Sequence, residues 1–213
     1  MKKALFLAGL ILLTLPAMSQ GRKYTKAMQS AIEKMHEAAD PASELELVAS
    51  FEELAQKYPD QWLPSYHASR ILIISSFEES DGSKSDVLLE HAKKWLDSAM
   101  KLVPDESEVH VLKALYYIGM MSVEPEVRGP LYYEDAMEAI RNSLSLNPEN
   151  PRAHFMDGMM TVNMPEFLGG GPEAAKPIFL EAQKKFQSYQ NDDPFWPVWG
   201  TDLNQSELDR MND

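Results

Sequence analysis

The sequence predicts an all-α protein, a solenoid of helical hairpins, and three observations carry that expectation. A block of residue types recurs: Ala136, Ile140, Ser143 and Pro148, followed by Gly158, is matched 44 residues earlier by Ala92, Leu96, Ala99 and Pro104, followed by Ala114. A looser copy, Leu47, Phe51, Leu54 and Pro59 with Ser69, lies another 45 residues back, and Ala175, Phe179 and Ala182 form a truncated one 39 residues on. Repetition at this period belongs to stacked helix pairs, none of which buries its apolar face alone. Each copy also places its residues at i, i+4 and i+7, one stripe of a helix, and all but the truncated one end on a proline that bars further helix. Outside the repeats, Tyr24, Met28, Ile32 and Met35 follow at spacings of four and three, again one helical face.

In chain order, residues 22–39 form an amphipathic helix that caps the first repeat, and Asp40-Pro41 ends it. Residues 43–58 are the next helix, stopped by Pro59. Helix 62–78 carries Trp62, Tyr66, Ile71 and Ile74 and is apolar enough to be buried on more than one side. A polar, glycine-containing insert at 78–86 reads as a loop. Helices 87–102 and 107–122 follow. A second insert, 123–133, is broken by Pro125 and Gly129-Pro130, and its aromatic end is expected to pack back onto the repeats. Helix 134–146 leads through Pro148 to helix 151–162. A third insert, 163–173, holds Gly169, Gly170 and Gly171, and 174–190 is the last repeat helix. The tail carries Phe195, Trp196 and Trp199 between prolines, stiff enough to dock on its own protein at little entropic cost. It is expected to cap the last repeat rather than enter a groove, and to end in one more helical turn.

The 213 residues are 44% hydrophobic, enough for one sizeable core. Residues 1–19 read as a cleaved signal peptide: Lys2 and Lys3, an apolar run from Ala4 to Leu15, then Ala17-Met18-Ser19. The run is too short to span a bilayer, and charge follows at Arg22 and Lys23. No cysteine follows to carry a lipid, so no stable membrane anchor is expected after cleavage, and the mature protein is expected to be periplasmic or secreted. With no cysteine at all, disulfide and thiol chemistry are excluded. Removal of the leader leaves 18 basic residues against 33 acidic, a net charge of −15, which argues against nucleic acid and anionic membrane surfaces as partners.

Residues Ala92, Leu96, Ala99 and Pro104, with Ala114 and Gly158, resemble the second-helix and first-helix signature of the tetratricopeptide repeat (TPR) family. The chain departs from that family in the 23, 22 and 17 residues that separate Ser69 from Ala92, Ala114 from Ala136 and Gly158 from Ala175, so something is inserted in every hairpin. Asn150 to His154, the Gly169–Gly171 stretch and Pro197-Val198-Trp199-Gly200 are further similar to small exported TPR-like proteins of Gram-negative bacteria. The glycine stretch also resembles one in the periplasmic TPR subunit of certain tripartite solute transporters. The resemblance implies a right-handed solenoid of about four hairpins, divided as signal peptide 1–19, repeat domain 20–190 and capping tail 191–213. It implies a module that binds a protein or peptide, with a solute-handling partner of a transporter as the alternative.

In a TPR the first helix of each repeat lines the binding groove. Counted from Trp62, Ser107 and Pro151, the groove positions include Tyr66, Arg70, Leu115, Phe155 and Met159. The inserts all fall between the helices of a hairpin and emerge along one edge, where per-repeat insertions form binding faces. Arg128, the one cation of the second insert, is expected to be tied down by a carboxylate or a bound anion, and Gly169, Gly170 and Gly171 complete that candidate edge.

Catalysis finds little support. The triple glycine lacks the Lys-Ser/Thr of a phosphate loop, and Glu173 puts negative charge at the helix start. Taking Gly82 as a calcium-loop glycine puts Phe77 and Leu88 at ligand positions, which fails. His36, His67, His91, His110 and His154 show no spacing that pairs two on a helix face for a metal, and there is no Gly-x-Ser-x-Gly elbow. His110 and His154 occupy the same repeat position, which fits a packing role. No enzyme and no cofactor are expected.

Overall fold

The computed structural model describes residues 14–38 and 40–212, and every regular element among them is helical. The order is α1 (Thr14–Glu37), α2 (Pro41–Leu45), α3 (Val48–Lys57), α4 (Leu63–Glu78), α5 (Gly82–Leu102), α6 (Ser107–Val123) and α7 (Pro125–Leu146). After α8 (Pro151–Asn163) and a 3-10 turn, Glu166–Leu168, come α9 (Pro172–Ser188) and α10 (Thr201–Arg210). Helices α4 and α5, α6 and α7, and α8 and α9 pair as hairpins, α3 lies on α4, and α10 lies on α9. The chain is therefore an all-α helical solenoid. The first thirteen residues of the expected leader lie outside the described residues, and its last residues begin α1.

Local chemistry sets the hairpin corners. Asn150 caps α8 by accepting from the Arg152 and Ala153 N–H groups, and Pro151 supplies the pre-set first helical residue. His110 donates from Nε2 to the Pro104 carbonyl at 2.8 Å, and His154 makes the same bond to Pro148 at 2.9 Å, so one fastener is used twice, one repeat apart. Between the helices, Ala92, Ala99, Ala114, Ala136, Ala175 and Ala182 are fully buried, as close crossings demand. At Gly158 a Cβ would stand 2.6 Å from the Phe179 ring, so the bare backbone is what lets α8 approach α9.

Four elements differ from the sequence reading. The helix expected over 43–58 is interrupted at Glu46-Leu47 and forms α2 and α3. The first insert, 78–86, is mostly helix, because Asp81 accepts from the Ser83 N–H at 2.9 Å and caps α5, which starts at Gly82 rather than at 87. The second insert is helix as well. Pro125 sits at the first position of α7, where its missing N–H costs nothing, and Arg128 forks onto Asp86 with a 2.8 Å bond from Nη2 to Oδ2. Tyr132 stacks on Tyr117 with ring centres 6.0 Å apart, so tertiary contacts carry the helix through Gly129 and Pro130. Past the tail aromatics, the chain forms the ten-residue α10 rather than one turn.

Candidate functional site

Two regions bring the candidate residues together. The first is the face shared by α4, α6 and α8. Glu108, the second residue of α6, and Arg152, the second of α8, stand at the same repeat position 44 residues apart, with opposite charges. Both are buried, with side chains 0% and 3% exposed. Arg152 Nε donates to both Glu108 oxygens at 3.0 and 2.9 Å, and Nη2 lies 2.8 Å from Oε1. Burial works against the Arg152 charge, and the Glu108 carboxylate outweighs it, leaving the guanidinium more basic than usual. Burial first, and then the Glu108 charge, push the Tyr66 phenol well above its ordinary range, so it remains a neutral hydroxyl. An opposed pair at one otherwise apolar repeat position was the sequence signal for this cluster, and a search for apolar periodicity passes over it.

The tail lies on this same face. Trp199 donates from its indole nitrogen to the Tyr66 hydroxyl at 2.9 Å, and its carbonyl accepts from Arg152 Nη1 at 3.4 Å. Trp196 meets Trp62 edge-on at 5.5 Å, and the Phe195 carbonyl accepts from His67 Nε2 at 2.9 Å. The expectation that the tail caps the last repeat rather than entering a groove is therefore corrected. Residues 195–199 reach back across α8 to α4, held there by bonds to His67, Tyr66 and Arg152, and α10 does the capping, with Asn204 donating to the Phe179 carbonyl at 3.1 Å.

The five groove candidates separate. Tyr66 is sealed under the tail. Leu115 and Phe155 are core residues, Phe155 lying against Phe179 with ring centres 6.0 Å apart. Arg70 borders a small cavity beneath the tail, and Met159 lines a larger pocket elsewhere.

His67 carries a pH dependence. Burial chiefly, with the Arg70 and His36 charges adding to it, lowers its pKa from 6.5 to about 4, while the bond to Phe195 opposes the shift. The unfolded chain then binds a proton between these values that the folded chain refuses. Stability is full above pH 6.5 and falls as pH drops towards 4, by on the order of 3 kcal/mol. Urea titrations of the native protein and His67→Gln should diverge across this window only. Parallel curves would remove His67 as the cause.

The second region is a pocket of about 650 Å3 between α6, α7, α8 and the turn at 165–168. Ile118 and Met121 of α6, Gly129 and Tyr133 of α7, Met159 and Met160 of α8, then Met164 and Leu168, form its mainly apolar wall. Ser122, Glu134 and Asn163 are its polar members, and Asn163 is spent on the Met159 carbonyl at 2.8 Å. The Tyr133 hydroxyl points to Met164 Sδ at 3.4 Å. Beside the pocket, Phe167 and Leu168 are 86% and 62% exposed, an unusual display of apolar surface.

Of the insert-edge candidates, Arg128 is bound by Asp86 and Glu124, and its hydrogen bonds hold the Asp86 carboxyl below its usual range. The glycines build the pocket's turn. Gly169 and Gly171 both sit at φ +90, which side chains disfavour, and a Cβ on Gly170 would fall 2.2 Å from the Met164 carbonyl oxygen. Together they fold Met164 to Leu168 into the pocket wall. The sequence reading did not count Gly129, Tyr133 or Met160 among its binding-site candidates. Their common signal was placement in or against the second and third inserts.

No family model matches the sequence, and no curated protein matches it. Among solved structures the chain is similar to the HusA haemophore from Porphyromonas gingivalis, with a TM-score of 0.79 and 24% identity over 88% of this chain and 92% of that one. A second similarity, to the MamA RS-1 ArsTM double mutant, has a TM-score of 0.44 and 16% identity over 85% and 96%. The haemophore likeness shows the fold that the two chains share.

Proposed function

We propose that this protein is an exported, TPR-like binding module that takes an apolar small molecule of tetrapyrrole size into the pocket between α6, α7 and α8, without catalysis. The pocket carries the reading. Its volume of about 650 Å3 lies within the roughly 300–1,000 Å3 of ligand sites, and such sites combine apolar walls with a few placed polar groups. Four methionines line it, and flexible thioethers adapt to a ligand's outline. Haem is the first ligand to try, because a haemophore shares the fold and because methionine thioethers and tyrosine phenols are residue types that hold haem iron. With no cation in the wall among the described residues, the ligand's carboxylates would stay at the mouth, in water.

Export rests on the leader read over residues 1–19, and among the described residues no helix is long and apolar enough to cross a membrane. The solute-handling alternative draws on the same pocket. A peptide adaptor working on the α4–α6–α8 face would first have to displace residues 195–199.

Haemin titration followed by its visible absorbance tests the proposal, with Gly129→Phe as the discriminating variant. A Cβ at position 129 meets nothing within 4 Å, so the ring enters the pocket rather than the core, and a helix-interior glycine is removed at the same time. Binding should weaken at least about tenfold while the melting temperature holds or rises. Equal haemin affinity in the variant would move the site elsewhere, and absence of binding in the native protein would remove haem as the ligand.

A further inference from the structure

A half-open cavity of about 140 Å3 lies beneath the tail, bordered by α1, α2, α4 and residues 194–199, apart from the larger pocket. A cavity of about 150 Å3 is large enough to hold a benzene ring. Much of its wall is apolar, from Ile32 and Met35 of α1 and from Pro197 and Val198 of the tail. Two indoles, Trp196 and Trp199, flank it.

Arg70 is the wall's strong cation, and its bonding is incomplete. The side chain is only 15% exposed, yet its ion-pair contact is Glu44 at 3.7 Å, too long for a hydrogen bond. A guanidinium offers five N–H donors in a rigid fork. Among the described residues none of these is hydrogen-bonded, and Nε is buried without a partner. Trp199 covers one face of the fork at 5.5 Å, which leaves its edge as the bonding direction. Arg152, on α8, also keeps one buried nitrogen, Nη2, without a hydrogen bond, but it differs from Arg70 in that a buried carboxylate from within the chain meets its charge and accepts from Nε. Buried donors without acceptors are rare in folded proteins, and a ligand is one of the things that completes them.

We propose that this cavity binds a small monocarboxylate with an apolar body, its carboxylate paired with Arg70 and its body lying against Met35, Pro197 and the tail indoles. Three features select that class. A planar carboxylate matches the guanidinium fork with two parallel bonds. The apolar walls disfavour an anion that needs acceptors' partners on every side, such as phosphate. Glu44, the carboxylate that faces Arg70, admits one further negative charge more readily than two. His36 at the wall and His67 beneath it are the remaining titratable groups, and His67 already spends Nε2 on the Phe195 carbonyl.

Benzoate is the probe. In the native protein it should shift the indole N–H resonances of Trp196 and Trp199 saturably. Benzyl alcohol, the same body without the charge, should bind at least about tenfold more weakly, and inorganic phosphate should leave the resonances in place. Arg70→Met should lose benzoate binding by a similar factor while haemin titration is unchanged, which separates this site from the larger pocket. Benzyl alcohol binding as well as benzoate, phosphate producing the same shifts, or no saturable shift at all would each overturn the proposal. If Arg70→Met fails to fold, the benzoate and benzyl alcohol comparison on the native protein decides alone.

Discussion

Glu108→Ala is expected to cost about 3–5 kcal/mol of folding stability, because it strands the Arg152 guanidinium, 3% exposed, without its counter-charge. For a chain of this size that corresponds to a fall in melting temperature of about 10 °C or more. The cost comes from the charge left behind rather than from any net strength of the pair, since bringing both groups out of water has already consumed much of their attraction. The double variant Glu108→Leu with Arg152→Met removes both charges and should therefore recover most of the loss. Thermal melts of the single and double variants check this. A single variant that melts within a few degrees of the native protein would mean that water reaches Arg152, and the described burial would be wrong.

Deletion of residues 192–213 is the second large effect. It takes away Phe195 and Leu208, 7% and 3% exposed, together with Trp199 and the Asn204 bond to the Phe179 carbonyl. Full burial of one such apolar side chain contributes about 1.5–3 kcal/mol, so the truncated chain should lose at least about 5 kcal/mol. It also uncovers Trp62, Tyr66 and the end of α9, which should appear as increased binding of an apolar dye. An unchanged melt with no added dye binding would make the tail a free peptide. The open face of α4, α6 and α8 would then be the surface on which to seek a peptide partner.

Much of the fold was legible locally. Helices α4, α6 and α8 begin and end within a residue or so of the sequence reading, because their limits are written by adjacent prolines and by Asn150, which act through neighbouring backbone groups. The small residues at repeat spacing marked the close crossings, and Gly158 proved to face a phenyl ring at contact distance. Harder to read were the first two inserts, the second of which carries Gly129 and Pro130 as local breakers. They are overruled by a fork from Arg128 to Asp86, 42 residues away in the chain.

The candidate site divides along the same line. Periodicity alone determined which helices stack and which positions face inward, since burial of an apolar stripe repeats wherever the stripe repeats. It could not tell an inward position from an open one, so Tyr66, Leu115 and Phe155 read as groove while the packed chain closes over all three. Only the tertiary structure decided that the tail occupies the α4 face, that Arg70 is left with an unfilled fork, and that two inserts enclose an apolar pocket around Gly129 and Tyr133. The physical reason is reach. Helix starts and stops depend on hydrogen bonds within one turn, whereas a cavity is the volume left among elements that meet only after folding, and no spacing in the chain encodes its shape.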